Sequence, residues 1–346
     1  NNTDNRMKIK HLFLCLFCLG IAFAAMAQNQ VDKQGRKQGL WIRTDKDGSK
    51  IYQGTFKDNL EVDTFTYYYP NGQVRLRNVY SVPGKVCQHQ AYDPEGHLLA
   101  TGTYNQKNRD GEWKIYNESG RLVKIANYRM GVRQGLQVIF NSNGDTAEVS
   151  SFLDNHRNGR WWKRVGERGS ISGTFVKGNL EGRLVELDDQ GAMVREGFYK
   201  GGEKEGPYRY YENGQLTVEE QWQMGVLLDK KVLLTAANPQ WVSIHEMAFF
   251  YPKGSDHCVV VKKDGSSIAA QEDVDLMAHR ISSEIFSLIN KTNRIYVNTH
   301  CVLGLTKDGE GREILHLDPA PSFSIFPDED GMKCVKALHR GNEMDE

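Results

Sequence analysis

An aromatic residue returns eight times at almost constant spacing: Phe56, Tyr80, Tyr104, Tyr128, Phe152, Phe175, Tyr199 and Trp222. The intervals are 24, 24, 24, 24, 23, 24 and 23 residues. Three residues after each aromatic comes Asn59, Pro83, Lys107, Gly131, Asn155, Gly178, Gly202 or Gly225. Six of these eight are Gly or Asn, the residue types that best accept a positive φ. Half a period away lies a second turn signal, at Asp47-Gly48, Asn71-Gly72, Glu95-Gly96, Ser119-Gly120, Asn143-Gly144, Gln190-Gly191 and Asn213-Gly214. Two turns and two short strand-like runs per period make each unit a β-hairpin. The fold class is therefore an all-β repeat array of antiparallel hairpins over residues 38–230, about 8 units of 24 residues, followed by a small α+β domain.

A representative unit is Gly111-Glu112-Trp113-Lys114-Ile115-Tyr116, then a turn through Gly120, then Arg121 to Tyr128 and the turn at Gly131. The frame repeats at Gly135 with Phe140, Gly159 with Trp161, Gly182 with Leu184 and Leu187, and Gly206 with Tyr208 and Tyr211. It is weaker at Gly39 with Trp41, Asp63 with Phe65 and Tyr68, and Cys87 with His89 and Tyr92. A lone hairpin is marginal in water, so neighbours must stack to bury a shared seam of rings. The eight recurring aromatics are expected to form that ladder in the core.

The frame resembles the bacterial variant of the MORN repeat, with its G-x-W-x-x-Y-x-x-x-G pattern. Gly111, Trp113, Tyr116 and Gly120 carry the resemblance in one unit, and Gly206, Tyr208, Tyr211 and Gly214 in another. It extends over roughly 190 residues by register with these units. The sequence departs from the pattern where Asp63 and Cys87 replace the leading Gly, Gln137 the aromatic and Arg164 the Tyr. The resemblance implies a one-layer antiparallel sheet used as a protein- or lipid-binding surface, without chemistry of its own; proteins with this variant are also labelled antitoxin-like.

From Met7, Lys8-Ile9-Lys10-His11 leads into an apolar run from Leu12 to Ala27 that ends Ala25-Met26-Ala27. A basic start, a short apolar stretch and an A-x-A site read as a secretory signal peptide over Met7–Ala27, with Gln28 as the mature N-terminus. Residues 1–6 precede that start and are set aside, and 28–37 reads as a linker. Cys15 and Cys18 lie in the apolar run without a lipobox. Without residues 1–27 the chain holds 41 basic and 43 acidic residues, a net charge of −2. That balance offers no excess of cations for phosphates and excludes nucleic acid as the main partner. Basic residues near one set of turns (Lys107, Arg109, Arg129, Arg133, His156, Arg157, Lys200, Lys204) read as a solvated rim that shields hairpin edges, with membrane-surface contact the less favoured reading.

Beyond residue 230 the period stops, and 231–346 reads as the α+β domain. His257–Val261 reads as a buried strand, Val274–Ile289 as a helix with Val274, Met277, Ile281, Ile285, Leu288 and Ile289 at helical spacing, and Ile295–Leu305 and Ile314–Leu317 as strands about the Asp308-Gly309 turn. The order of elements is similar to that of the C-terminal domain of TonB-type envelope proteins. His257-Cys258 and His300-Cys301 are strand neighbours that point to opposite faces, so neither pair can share a metal or act as base and nucleophile. Cys87, Cys258, Cys301 and Cys334 either form one disulfide or sit reduced in the core. The acidic run Asp328-Glu329-Asp330-Gly331 lacks the ligand set of a calcium loop and reads as a surface turn. With no catalytic, cofactor-binding or metal motif recognised, no cofactor is expected and the chain reads as a non-enzyme.

The functional expectation is an exported, non-enzymatic interaction scaffold of the bacterial cell envelope, periplasmic or outside the cell. It would bind a protein partner through the repeat sheet, with Trp113, Trp161, Tyr208 and Tyr211 as candidate contact rings. Two alternatives stand beside it. One is an immunity or antitoxin-type protein that neutralises a toxin; the other is an envelope- or lipid-associated protein with an unrecognised C-terminal binding or hydrolase domain.

Overall fold

The structure is a computed structural model that describes residues 28–235, 238–281, 286–318, 325–329 and 331. The proposed signal peptide and Cys334 lie outside these residues. The chain divides into two units, one to Lys163 and one from Arg164.

In the first unit, each strand from Lys37–Thr44 through Thr146–Leu153 pairs antiparallel with the strands before and after it in sequence. Thr146–Leu153 also pairs with His156–Val165. The stretch read as a linker joins in: Gln30–Val31 pairs with Lys37–Gln38, and the Asn29 side chain brackets the backbone of Ile42. In the second unit the same meander runs from Gly169–Val176 to Val226–Leu234 and then takes in Gln240–Ser243.

The turns follow the chemistry of the sequence. Gly131 and Gly178 have φ of 87° and 93°, conformations that a side chain with a Cβ enters only at a cost. Where Asn stands instead, at Asn59 and Asn155, it tolerates φ of 69° and 67° and its Oδ1 accepts a hydrogen bond from the backbone N–H of Lys37 or Arg133 in the previous hairpin. At the second set of turns Asp45, Asp93, Asn117, Asn141 and Asp188 each accept from two backbone N–H groups two and four residues on.

Hairpins interlock by laying a ring on a bare α-carbon. Trp113 is 1% exposed; it stands beside Gly102 of the preceding strand, where an added Cβ would lie 2.3 Å from the indole. The indole N–H donates to the Thr103 carbonyl at 3.1 Å. Phe65 lies on Gly54 and Tyr208 on Gly197 in the same manner. These rings, two residues after the leading turn position, are the inner rung of the ladder. The eight aromatics expected to be the core are the outer rung: Phe56 and Phe152 are buried, but Tyr80, Tyr104, Tyr128, Phe175, Tyr199 and Trp222 are only half-buried. They meet the inner rung edge-on, as in Phe56–Phe65 and Tyr104–Trp113, with centroids 4.9 and 4.8 Å apart.

The C-terminal part of the second unit carries a separate five-stranded antiparallel sheet and a two-stranded one. Along the strand Met247–Pro252, side chains from Phe249 to Tyr251 alternate between two cores. Phe250 joins Cys258, Val260, Met277 and Ile281 together with Val218, Val232 and Leu234 of the last repeat strands. Phe249 joins Val261, Ile289, Val297, Cys301 and Leu315. The expected helix is shorter than its apolar spacing suggested. It spans Val274–Ile281, with Asp273 accepting from the Asp275 N–H at its start, and Leu288 and Ile289 belong instead to the strand Phe286–Asn290. That strand pairs with Ile295–Asn298, so ladder pairing overrides the helical spacing there. The long strand expected over Ile295–Leu305 is likewise broken, by a single helical turn at Thr299–Cys301 that Asn298 caps. Cys87, Cys258 and Cys301 are free thiols in buried positions, and Cys258 and Cys301 sit in different cores.

Truncating Trp113 to Ala should cost about 3–5 kcal/mol, more than Tyr128→Ala on the half-buried rung. Gly102→Ala and Gly197→Ala, which drive a Cβ into a ring, should also destabilise clearly, whereas Gly173→Ala meets only ordinary contacts with Leu180 and the backbone and should be tolerated. Denaturant midpoints that rank Gly173→Ala with Gly102→Ala would refute the interlock.

Candidate functional site

Strand alternation places inner and outer rungs on one side of the sheet within each unit. Basic residues cover that side. Lys37 Nζ lies 4.6 Å from the Trp41 ring centre and 4.7 Å from that of Phe56. Arg109 covers Trp113 and Tyr128 at 4.7 and 5.5 Å, Arg133 covers Phe152 at 4.4 Å, and Lys204 covers Tyr208 and Trp222 at 4.2 and 4.1 Å. The expectation of a solvated basic rim is therefore corrected for Arg109, Arg133 and Lys204. They are a lid on the ring ladder, each contact worth about 0.5–1 kcal/mol where solvent reaches it. Their spacing of 24 residues was visible in the sequence, but it says nothing about which way a cation lies.

The candidate contact rings separate. Trp113 and Tyr208 are 1% and 2% exposed, so they are packing elements and have no face to offer a partner. Trp161 is half-buried on the ring side, where its indole N–H donates to Glu148 at 3.2 Å and Arg157 donates to the same carboxylate at 2.6 Å. Tyr211 is half-buried and its hydroxyl donates to Glu196 at 2.9 Å. Arg183 pairs with the same Glu196 carboxylate, which these donors hold below the usual carboxylate range against the opposing effect of burial. Glu196 neighbours Gly197, which lies under the Tyr208 ring, so its carboxylate belongs to the other side of the sheet. Gln137, which replaces a ring, is buried with its Oε1 unpartnered.

Position 89 is a second replacement. His89 is buried, its Nδ1 bonded to Asn78 Oδ1 at 2.7 Å, and its ring centre lies 5.6 Å from that of Trp113. Burial, reinforced by the charge of Arg109, pushes the imidazole below its ordinary value.

In the second unit a cavity of about 420 Å³ is lined by Tyr210, Glu212, Val218, Glu220, Lys230, His279 and Arg280. Glu220 and Lys230 form an ion pair at 3.4 Å with side chains only 7% and 8% exposed. Glu220 also accepts from Tyr210 at 3.2 Å and Trp222 at 2.9 Å. Burial lowers the Lys230 pKa, partly offset by Glu220. Arg280 reaches from the helix to Glu272 at 2.6 Å and to the carbonyls of Leu233 and Thr217, leaving its Nε without a hydrogen-bond partner. Sequence reading missed this group because His279 and Arg280 lie about 50–70 residues along the chain from the repeat-strand members.

The histidines considered for chemistry do not assemble. His257 is bonded to the adjacent Asp256, and His300 is exposed next to a cysteine in the far core. Among the described residues no three His, Cys, Asp or Glu gather as a metal site, and no helix is long and apolar enough to cross a membrane.

This arrangement can be set beside known sequences. Residues 109–130 and 204–224 match the MORN repeat variant. Each match starts at or beside a lid cation, Arg109 or Lys204, and includes the buried ring four residues on from it. No curated protein sequence matches the chain. MORN repeats are a non-catalytic repeat type that mediates protein or membrane interactions.

Two outcomes follow. Glu220→Ala should cost about 3–5 kcal/mol by stranding the Lys230 charge, while Glu220→Leu combined with Lys230→Met should cost less than the sum of the single changes in a double-mutant cycle. For His89 the folded pKa lies below the unfolded one, so the unfolded chain takes up more protons as pH falls through the imidazole range, near about 6.5 and below. Stability should therefore be greatest above that range and decline in acid, and the decline in denaturant midpoint should shrink in His89→Gln.

Proposed function

We propose that this chain is an exported, non-enzymatic scaffold of the bacterial cell envelope that holds a protein partner on its repeat sheet. The observation that carries this reading is the division of labour between the two sides. One side fills with the protein's own rings and cations, so the other is left to face outward. In the first unit that outward side bears Leu136, exposed by 55%; in the second it bears Phe198, exposed by 39%, together with the Tyr211–Glu196–Arg183 group. Scattered apolar contacts framed by charges suit a polar protein interface better than a lipid one. The leader-like stretch Met7–Ala27 supports export.

The test is photo-crosslinking from positions on each side of the full-length protein in envelope extracts. Crosslinks should concentrate at the positions of Phe198, Leu136 and Tyr211 and weaken in Phe198→Ala and Tyr211→Ala variants that keep the wild-type melting midpoint. Crosslinks confined to Val232–Asp318 would reduce the repeats to a spacer and sink the proposal.

A second reading, a small-ligand role for the C-terminal region, has one observation in its favour: the buried Lys230 and Arg280, whose Nε has no hydrogen bond among the described residues and only Glu212 at 3.9 Å, line one cavity. Thermal-shift measurements on the full chain with small organic anions test it, a rise lost in Lys230→Met being the supporting result.

A further inference from the structure

The repeat pattern fails at one place in the first unit, and a cavity of about 310 Å³ opens there. Lid cations recur opposite the outer rung, at Lys37, Arg109, Arg133 and Lys204, each over the ring four residues on, the one about nineteen on, or both. The position that should cover Phe65 and Tyr80 is Glu61, paired with Phe56 as Arg109 is with Tyr104. A carboxylate cannot serve there, because the face of an aromatic ring is electronegative.

The following hairpin does not repair the gap. Gly39, Gly111, Gly135 and Gly206 all have positive φ, and even Asp63 adopts 55°, but Cys87 in the same frame position does not. The strand Val86–Tyr92 accordingly pairs with the preceding Val74–Val82 in continuous register from Leu76–Ala91 to Tyr80–Cys87, shifting only between Tyr80 and Val82, where the equivalent pairing of the next hairpin breaks register between Thr101 and Thr103. Lys85 is exposed and makes no ring contact, unlike its counterpart Arg109. The backbone staple fails as well. Asp110, Gln134, Glu181 and Glu205 each accept from a turn N–H of the next hairpin, but the equivalent positions are Val62 and Val86. The result is a cleft whose walls are Tyr67, Tyr80 and Tyr104, with Glu61 and Asn78 among its polar groups. Burial, with Glu61 next in effect, pushes the Tyr80 hydroxyl well above its ordinary value.

We propose that this cleft receives an arginine side chain of the protein partner, whose guanidinium lies against the tyrosine faces and pairs with Glu61. The guest takes the place that the chain's own Lys or Arg holds in the sister units. Lys85 and Lys107 also line the cleft from exposed turns. They repel any cation, so stacking on the tyrosine faces is what favours a delocalised, weakly hydrated guanidinium over a compact ammonium. The inference rests on the reading that the repeat sheet engages proteins, and it names the side chain that one cleft takes.

The probe is N-acetyl-argininamide titrated into the full-length protein, with the isosteric neutral citrulline derivative as control. Binding should weaken by roughly tenfold or more for the citrulline derivative and for Glu61→Gln. Lys107→Ala should strengthen it. Glu61→Lys supplies the missing lid cation, so it should abolish binding and raise the melting midpoint. Equal binding of the neutral derivative, binding retained in Glu61→Lys, or no binding of the arginine probe by the wild type each overturns the proposal. Any of these leaves the scaffold reading standing if partner crosslinks still map to Phe198 and Tyr211.

Discussion

A ring pressed onto an α-carbon that carries no side chain is the contact on which the rest of this protein depends. Individual strands here are half polar, so away from the last repeat strands most burial must come from within the sheet. Gly54, Gly102 and Gly197 let Phe65, Trp113 and Tyr208 sink to the level of the backbone of the previous strand. The same rings present an edge to the outer rung, which adds directional contact to the burial. Each interlock joins consecutive hairpins, so cohesion is local and additive along the array.

The lid of cations follows from that arrangement. Rings sunk in a one-layer sheet keep one face toward water, and Lys and Arg cover it with their aliphatic stems while the charged ends lie on the π-system. A side occupied by its own cations is closed to a partner, and the opposite side is what remains for recognition. Where the lid breaks, at Glu61 and Cys87, the rings are again available. The role proposed for this cleft thus arises from local departures from a structural rule.

The C-terminal region uses a different economy. Its two apolar cores flank a small sheet, and one of them also takes in Val218, Val232 and Leu234 of the last repeat strands. Arg280 fastens the helix to Glu272 and to two repeat-strand carbonyls. Buried charges such as Glu220–Lys230 contribute little net stability over apolar replacements, but removing one partner is costly. They fix which groups face the cavity.

The period of 24 residues, the two turn types and the β-hairpin were all legible in the sequence, because φ preference and alternation are properties of neighbouring residues. The antiparallel hairpin array needed nothing more, although the pairing also takes in Gln30–Val31 and Gln240–Ser243. What the sequence could not rank was burial. Trp113 and Tyr208 resembled contact rings and prove to be deeply buried, while Tyr80 and Tyr128 resembled core and are half-exposed. The reason is that depth depends on the residue across the strand pair, such as the bare α-carbon of Gly102 on which Trp113 lies, and that partner is set by register. Likewise Leu288 and Ile289 carried helical spacing yet pair as a strand, because a long-range ladder outweighs a local period. The side on which a cation lies, the cavity that joins Glu220 to Arg280 and the cleft beside Glu61 all depend on residues brought together across strands. Only the tertiary structure could decide them, since each is a fact about distance in space between residues that the chain keeps apart.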